Sequence, residues 1–311
     1  MNAAKSAFLA SRPFSWINTS LPFVAAWLIT GAPLDWRFWL GSFFFLFPYN
    51  LAMYGINDIF DYESDLKNPR KASIEGALLD PAHFRSLWLW IAGWTLPLAA
   101  LLFLAGGLAA AIWLAFSLFM VVAYSAKPFR FKEIPILDSV TSACHFVTPF
   151  LYGLALVGVI PARTWPVAIA FFLWGMASHA FGAVQDVIYD REGKIASIAT
   201  VFGARITVII STVLYAISAA IIALSFQSLD GYGAAFGIVL YALNAGRFSL
   251  VTDETSPETN RGWRLFLGLN AGLGAFLTNA YIYKLGAEPA WVAFVAAASM
   301  YCLFFILLRK K

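Results

Sequence analysis

The sequence predicts an all-α polytopic membrane protein with about ten spans. Of its 311 residues, 61% are hydrophobic and only 12% are charged, whereas a soluble domain is about 25% charged. Apolar runs recur at about the 20 residues that a helix needs to cross the hydrocarbon core of a bilayer. The alternation over about ten residues that is typical of barrel strands is absent.

The candidate spans follow one another along the whole chain. They are Phe14 to Thr30, Phe38 to Ile56, Leu87 to Leu104, Leu108 to Tyr124, Ile136 to Ile160, Trp165 to Val184, Ile206 to Phe226, Tyr232 to Leu250, Leu265 to Tyr283 and Trp291 to Leu308. We interpret residues 1–311 as one transmembrane domain of about ten spans.

The basic residues predict the orientation of these spans. Of the 21 Lys and Arg residues, 18 fall on the side that carries both termini, and the other side has Arg37, Arg163 and Lys284. Cytoplasmic loops carry the excess of basic residues in membrane proteins. We therefore expect a multi-pass protein of the cell membrane with both termini in the cytoplasm. Its surroundings are membrane lipid, and we expect no nucleic-acid partner.

Three long connections lie on the predicted cytoplasmic side, at residues 57–86, 125–135 and 185–205. Long ordered loops in a compact protein are often functional. The first opens with an acidic motif, and four oxygen-bearing side chains share one narrow face of a helical wheel at about 100° per residue: Asn57, Asp58, Asp61 and Asp65. Asn50 and Tyr54 extend this polar stripe one to two turns deeper, whereas Glu63 points to another face.

The third long connection opens with a second acidic motif. Asp186 and Asp190 are one helical turn apart and share a face with His179, Gly175 and Gly182, one to three turns earlier. Ala183 is a further small residue of this face, so a ligand has room beside the helix. The sequence therefore predicts two acidic motifs beside one membrane-embedded cavity.

Crowded aspartates indicate a hard divalent cation. Mg²⁺ takes oxygen ligands, typically one or two carboxylates together with substrate phosphates. The candidate ligands are Asn57, Asp58, Asp61, Asp65, Asp186 and Asp190. The basic residues that can bind the remaining phosphate oxygens are Lys67, Arg70, Lys71, Lys127, Arg130 and Lys194. A single motif of this kind is also typical of solvated charges at a helix end, but its repetition after two even-numbered spans favours a metal and diphosphate site.

This pair of motifs resembles that of the UbiA superfamily of intramembrane prenyltransferases. The resemblance implies a bundle of nine or ten transmembrane helices around a central cavity. It also implies that Mg²⁺ and an allylic diphosphate are bound by the side chains of Asn57, Asp61, Asp65, Asp186 and Asp190. In the loop after the fourth span, Tyr124, Lys127 and Arg130 are similar to the tyrosine and basic residues that the superfamily uses there.

Within the superfamily, four segments are similar to lycopene elongases: Ser11–Trp16, Pro48–Lys71, Phe172–Ser178 and Ser197–Arg205. The resemblance implies a Mg²⁺-dependent enzyme that moves a C5 unit from dimethylallyl diphosphate to the terminal double bond of lycopene, giving C45 and C50 carotenoids. It covers the chain up to about Tyr283, and the tenth span departs from the nine that are common in the superfamily.

The implied reaction passes through cations. Departure of the diphosphate leaves an allylic cation, the acceptor double bond attacks it, and the resulting cation loses a proton or captures water. Aromatic faces stabilise such cations, and Tyr54 and Tyr124 are the candidates by position. His179 can remove the final proton, or it can have a packing role that bridges helices. The sequence gives less support for a catalytic role of His145, inside the fifth span, or of His83, in a loop.

Two alternative functions stay open at this point. A membrane transporter also places charged residues on membrane helices. Within the prenyltransferases, the acceptor can be an aromatic quinone precursor or a tetrapyrrole, because all of these prefer an apolar cavity. We favour a lycopene-like polyene over a small acid, since a buried acid requires a cationic partner and we expect no Lys or Arg in the cavity.

Overall fold

The computed structural model describes residues 3–66, 80–158 and 160–284. The tenth candidate span, Trp291 to Leu308, lies outside the described residues. So do three of the predicted diphosphate-binding residues, Lys67, Arg70 and Lys71.

The described residues form thirteen α-helices. In chain order they are α1 (Ala3–Ala10), α2 (Ile17–Ile29), α3 (Trp36–Leu46), α4 (Pro48–Asp65), α5 (Phe84–Ala105), α6 (Leu108–Ser125), α7 (Leu137–Val157), α8 (Trp165–Val184), α9 (Val187–Glu192), α10 (Ile198–Phe202), α11 (Ala204–Ser225), α12 (Leu229–Gly246) and α13 (Asn260–Lys284). The prediction of an all-α protein is confirmed: no strand occurs in the described parts of the chain.

Five of the described helices are long and apolar enough to cross a membrane: α5, α6, α7, α8 and α11. The chain is therefore a multi-pass membrane protein. α2 is apolar but has only 13 residues, about 20 Å of helix. Prolines lie inside α2, α5 and α7, and membrane helices tolerate them because neighbouring groups bind the freed carbonyls.

Helix α7 occupies the centre of the bundle, with α2, α6 and α8 packed against it. Of its most apolar stretch, 78% is buried, compared with 28% for α5. One buried apolar cluster contains residues of all the helices from α1 through α7. A second contains residues of all the helices from α8 through α13. Hydroxyl groups connect the helices, as when Ser218 Oγ donates to the Ala170 carbonyl at 2.7 Å, a contact typical of membrane bundles.

The second candidate span, Phe38 to Ile56, is not one continuous helix. The structure divides it into α3 and α4, which meet between Leu46 and Pro48. Proline has no backbone N–H to donate and disfavours helical backbone in the residue before it, so a new helix begins there. The helix that follows continues through the whole first acidic motif to Asp65.

The second acidic motif crosses a break between two helices. α8 ends at Val184 and α9 begins at Val187, so Asp186 precedes the first turn of the short helix. The Asp190 N–H donates to the Asp186 carbonyl at 2.8 Å, which keeps the two residues one turn apart. α10 is closed at its start by a capping box between Ser197 and Thr200.

Candidate active site

One cavity of about 330 Å³ lies where α4, α6, α7, α8 and α13 come together. Nine of the predicted site residues line it: Tyr54, Asn57, Asp61, Asp65, Tyr124, His179, Gly182, Asp186 and Asp190. The two acidic motifs, more than 120 positions apart in the chain, therefore reach the same space.

Asp61 is a buried carboxylate of the first motif with two cations beside it. It is 4% exposed, and Asn57 Nδ2 donates to its Oδ2 at 2.6 Å. Lys132 forms an ion pair with its Oδ1, and Arg130 lies 3.7 Å from the same oxygen. Arg130 also pairs with Glu133, which lowers the pKa of that carboxyl group. The loop after α6 thus brings two cations to the motif on α4.

Asp58 occupies a different environment from its neighbours in the motif. Its Oδ1 accepts a hydrogen bond from Arg12 at 2.8 Å, and its side chain is 1% exposed. The Arg12 guanidinium also lies over the Tyr54 ring, 4.3 Å from the ring centre. Because Asp58 is not among the described residues that line the cavity, we leave it out of the metal ligands that we propose below.

The second motif is anchored by amide groups. Gln185, beside Asp186, accepts a hydrogen bond from Asn260 at 2.6 Å and donates to the Gly182 carbonyl at 3.0 Å. Arg191 points away from the cavity to Asp253, at 2.6 Å. The hydrogen bond from the Ala204 N–H and this ion pair lower the pKa of Asp253. The two contacts also tie α9 to the start of α11.

The carboxylates fit Mg²⁺ by their chemistry and grouping. Within the described residues, no three acidic, histidine or cysteine side chains converge tightly enough to hold a metal ion by themselves. Instead, two carboxylates of each motif line one cavity: Asp61, Asp65, Asp186 and Asp190. Mg²⁺ is usually bound in this way, through one or two carboxylates and completed by substrate phosphates and water.

Two histidines and a tyrosine line the middle of the cavity. Tyr124 Oη is 3.0 Å from His179 Nε2, and Ser139 Oγ is 3.1 Å from His179 Nδ1. His179 therefore bridges α6, α7 and α8, the packing role that the sequence left open. The His145 ring meets the Tyr124 ring edge to face, 5.4 Å between centres.

The apolar wall of the cavity comes from α8 and α13. Trp174 and Trp263 both stack on Phe266, with ring centres 5.9 Å and 4.6 Å from that of Phe266. Aromatic faces of this kind favour a passing cation by about 0.5–2 kcal/mol each. The wall can therefore hold an apolar acceptor beside the acidic motifs.

The structure corrects two residues of the predicted acceptor cavity. Asn50 is fully buried and donates to Thr19 Oγ1 and to the carbonyls of Phe45 and Leu46, so it satisfies backbone groups at the α3–α4 break. Gly175 permits close helix packing, because a Cβ there would lie 3.0 Å from the Ala143 Cα. Neither is among the described residues that line the cavity.

The expectation of no Lys or Arg in the cavity is also wrong. Arg12 and Lys132 both line it, and each is paired with an aspartate, Asp58 and Asp61 respectively. Lys127 and Lys194, which the sequence assigned to the diphosphate, are exposed and not among the described lining residues. Sequence spacing could not separate Lys127 from Lys132, since both lie in the same loop.

Comparison with known proteins identifies the class of protein. The profile described as the UbiA prenyltransferase family matches residues 20–279. The chain belongs to this family, and it is accordingly a prenyltransferase, which replaces the transporter alternative. The predicted resemblance is confirmed.

The chain is similar to lycopene elongase/hydratase of Corynebacterium glutamicum, with 47% identity over 282 residues that cover 89% of this chain and 96% of that protein. It is 45% identical to a C(50) beta-cyclic carotenoids biosynthesis protein of Dietzia sp., over 89% of this chain and 64% of that protein. Its fold is similar to a UbiA homolog from Archaeoglobus fulgidus bound to DMAPP and Mg²⁺, with a TM-score of 0.64 at 20% identity, covering 87% and 99% of the two chains.

Proposed function

We propose that this prenyltransferase moves a C5 unit from dimethylallyl diphosphate to the terminal double bond of lycopene, in a Mg²⁺-dependent reaction that gives C45 and C50 carotenoids. The observation that carries the proposal is the 47% identity, over nearly the full length of both chains, to a protein named lycopene elongase/hydratase. The convergence of both acidic motifs on one aromatic-walled cavity supports the same reaction.

The donor end of the site is the acidic mouth of the cavity. Asn57, Asp61, Asp65, Asp186 and Asp190 are the proposed groups for Mg²⁺ and the diphosphate. When bound, the metal would neutralise charge on the leaving diphosphate. UbiA homologues have been solved with DMAPP or GPP together with Mg²⁺, which supports both the metal and an allylic diphosphate.

The chain's own cations complete this end of the site. Lys132 and Arg130 approach Asp61 from the loop after α6, and they can bind the phosphate oxygens as the C–O bond breaks. Lys127 and Lys194 are exposed near the same loops, so they can bind incoming diphosphate before it is seated. Tyr124 and Trp174 line the same cavity, so their rings can stabilise the allylic cation.

The acceptor end is the aromatic wall between α8 and α13. A polyene needs apolar surroundings along its body, and only its reacting end has to reach the donor. The paired cations Arg12 and Lys132 give a specific reason to keep an aromatic quinone precursor as the second candidate, since an acidic acceptor can bind a cation in the cavity. The identity to lycopene elongases makes the polyene our first choice.

Pigment analysis tests the proposal. In a host that accumulates lycopene, the chain should produce carotenoids that are one or two C5 units heavier. The D61N variant, expressed to the same level, is the matched control and should leave lycopene unchanged. Unaltered lycopene in cells that contain folded wild-type protein would contradict the proposed acceptor.

We also propose that 1–311 forms one domain with both termini and both motifs in the cytoplasm, on the basis of the 18 to 3 distribution of basic residues. The family match over residues 20–279 supports a single domain. Single cysteines at Asp35, Arg163 and Asp230 should react with an impermeant thiol reagent from outside, whereas cysteines at Glu133 and Glu192 should not. Labelling of Glu133 from outside would reverse the orientation.

A further inference from the structure

His145 carries a basic nitrogen in the cavity that the mechanism above does not use. The residue is 3% exposed and lines the cavity from α7. Its Nε2 is buried and has no hydrogen-bond partner among the described residues.

The unpaired nitrogen decides what the ring can do. In a neutral imidazole, one nitrogen carries the hydrogen and the other accepts. When the hydrogen is on Nδ1, His145 has at Nε2 an acceptor that no described residue occupies.

His179 differs from His145 in this respect. Both of its nitrogens are bonded within the protein, to Tyr124 Oη at 3.0 Å and to Ser139 Oγ at 3.1 Å. A ring bonded at both nitrogens orients its neighbours, whereas a ring with an unpaired nitrogen can receive a ligand there. Tyr124 connects the two histidines, since it bonds His179 and contacts the His145 ring at 5.4 Å.

Water is the ligand that suits His145. Buried polar atoms almost always have a hydrogen-bond partner, and a buried water occupies a polar site with two to four polar partners. His145 Nε2 can accept a hydrogen bond, and the hydroxyl-bearing residues Tyr124 and Ser142 line the same cavity. A single ordered water can therefore find polar partners beside His145.

We propose that His145 Nε2 holds and deprotonates the water that captures the final carbocation, so that the product is hydroxylated. This inference rests on the proposed function. After the C5 cation has joined the acceptor double bond, the new tertiary cation is attacked by the water oxygen. The C–O bond forms, the proton passes to Nε2, and the imidazolium later releases it to the diphosphate or to solvent. The sum is allylic diphosphate, alkene and water giving an alkylated alcohol and inorganic diphosphate.

The experiment uses full-length protein in lipid vesicles with lycopene, dimethylallyl diphosphate and Mg²⁺ in H₂¹⁸O. Mass spectrometry measures the ratio of ¹⁸O-labelled to anhydrous C5-extended products. H145Q keeps a polar side chain that cannot take up a proton, and H145L removes polarity. H83Q is the matched control, because His83 lies in the turn before α5 and is not among the described residues that line the cavity.

Wild type and H83Q should form mainly the labelled product. H145Q and H145L should lower the labelled fraction by about 100-fold or more, the low end of what a general base contributes. An unchanged ratio in H145Q, or wild-type product without ¹⁸O, would overturn the role of His145. Failure of the proposed function has a different signature, namely no C5-extended product from wild-type protein at all.

A second measurement covers a variant that fails to fold and does not depend on the acceptor. A cryo-electron microscopy map of the wild-type protein, good enough to resolve other internal waters, should show a water at hydrogen-bond distance, about 2.7–3.2 Å, from Nε2. A map that resolves waters elsewhere in the cavity but none at Nε2 would contradict the proposal.

Discussion

The two acidic motifs have nearly the same spacing but different local structures. The first lies on one continuous helix, α4, and its Asp61 is surrounded by an amide and two cations. The second spans the break between α8 and α9, and the cation beside it, Arg191, is turned to Asp253. The first motif thus has two cations beside Asp61, whereas Gln185, beside Asp186, makes amide hydrogen bonds to Asn260 and to the Gly182 carbonyl.

This difference has a consequence for ligand binding. Incoming diphosphate meets Lys132 and Arg130 at the first motif, so these cations and a bound metal ion would together neutralise the phosphate oxygens and Asp61. At the second motif, Asp186 stands at a helix break and can adjust by small changes in the turn from Gln185 to Val187. We therefore expect the first motif to fix the diphosphate and the second to close on it.

The largest expected effect comes from removing one charge at either motif. D61N and D186N should each lower kcat/KM by about 100-fold or more, because each removes transition-state stabilisation at the leaving group. E63Q is the matched control, since Glu63 lies on the same helix and is exposed. Equal losses at Glu63 and Asp61 would show that position on the helix face does not matter. Steady-state release of diphosphate measures all three.

The next largest effect tests the compensation at the first motif. K132Q removes the cation paired with Asp61 and should lower kcat/KM for the diphosphate by about 10-fold or more. K127Q, in the same loop but exposed, should cost less. If K127Q proved the more damaging substitution, the ion pair seen here would not describe the working site.

Two glycine substitutions in α8 test how closely this helix packs against its neighbours. G175A should lower the stability by about 1–3 kcal/mol, because the new Cβ would lie 3.0 Å from the Ala143 Cα, which is backbone and cannot move independently. G182A would instead meet the end of the Trp263 ring at 2.8 Å, and a side chain can shift. Thermal unfolding should therefore rank G175A as the less stable variant.

The smallest effect concerns the link between α9 and α11. The pKa of Asp253 is lowered in the folded protein, so its stabilising contribution is present above its unfolded value of about 4 and is lost as pH falls below it. D253N should cost about 0.2–1 kcal/mol near pH 7, because the pair with Arg191 is partly exposed. The melting temperatures of the two proteins should converge towards pH 3.

Much of the fold and the site could be predicted from the pattern of residues. The helical wheel placed Asn57, Asp61 and Asp65 on one face, and the structure has all three on the cavity side of α4. The break before Pro48 was missed because apolar residues continue across it without interruption. Asn50 was misread for the same reason, since its partners are the carbonyls that the break exposes.

Other features depend on three-dimensional contacts that no local pattern reports. Lys132 and Lys127 are both loop lysines, and only the path of the loop decides which of them reaches Asp61. Arg12 is 46 positions from its partner Asp58. The unpaired Nε2 of His145 also depends on the packing, since Tyr124 Oη is bonded to His179.

The most direct test of the account is a competition assay with purified protein in vesicles. Lycopene and an aromatic acid are offered together with dimethylallyl diphosphate, with Mg²⁺ or with excess chelator. We expect C45 and C50 products from lycopene and no prenylated acid. In excess chelator, we expect neither the carotenoid products nor diphosphate release. Prenylation of the acid with lycopene unchanged, or full activity in chelator, would contradict the account.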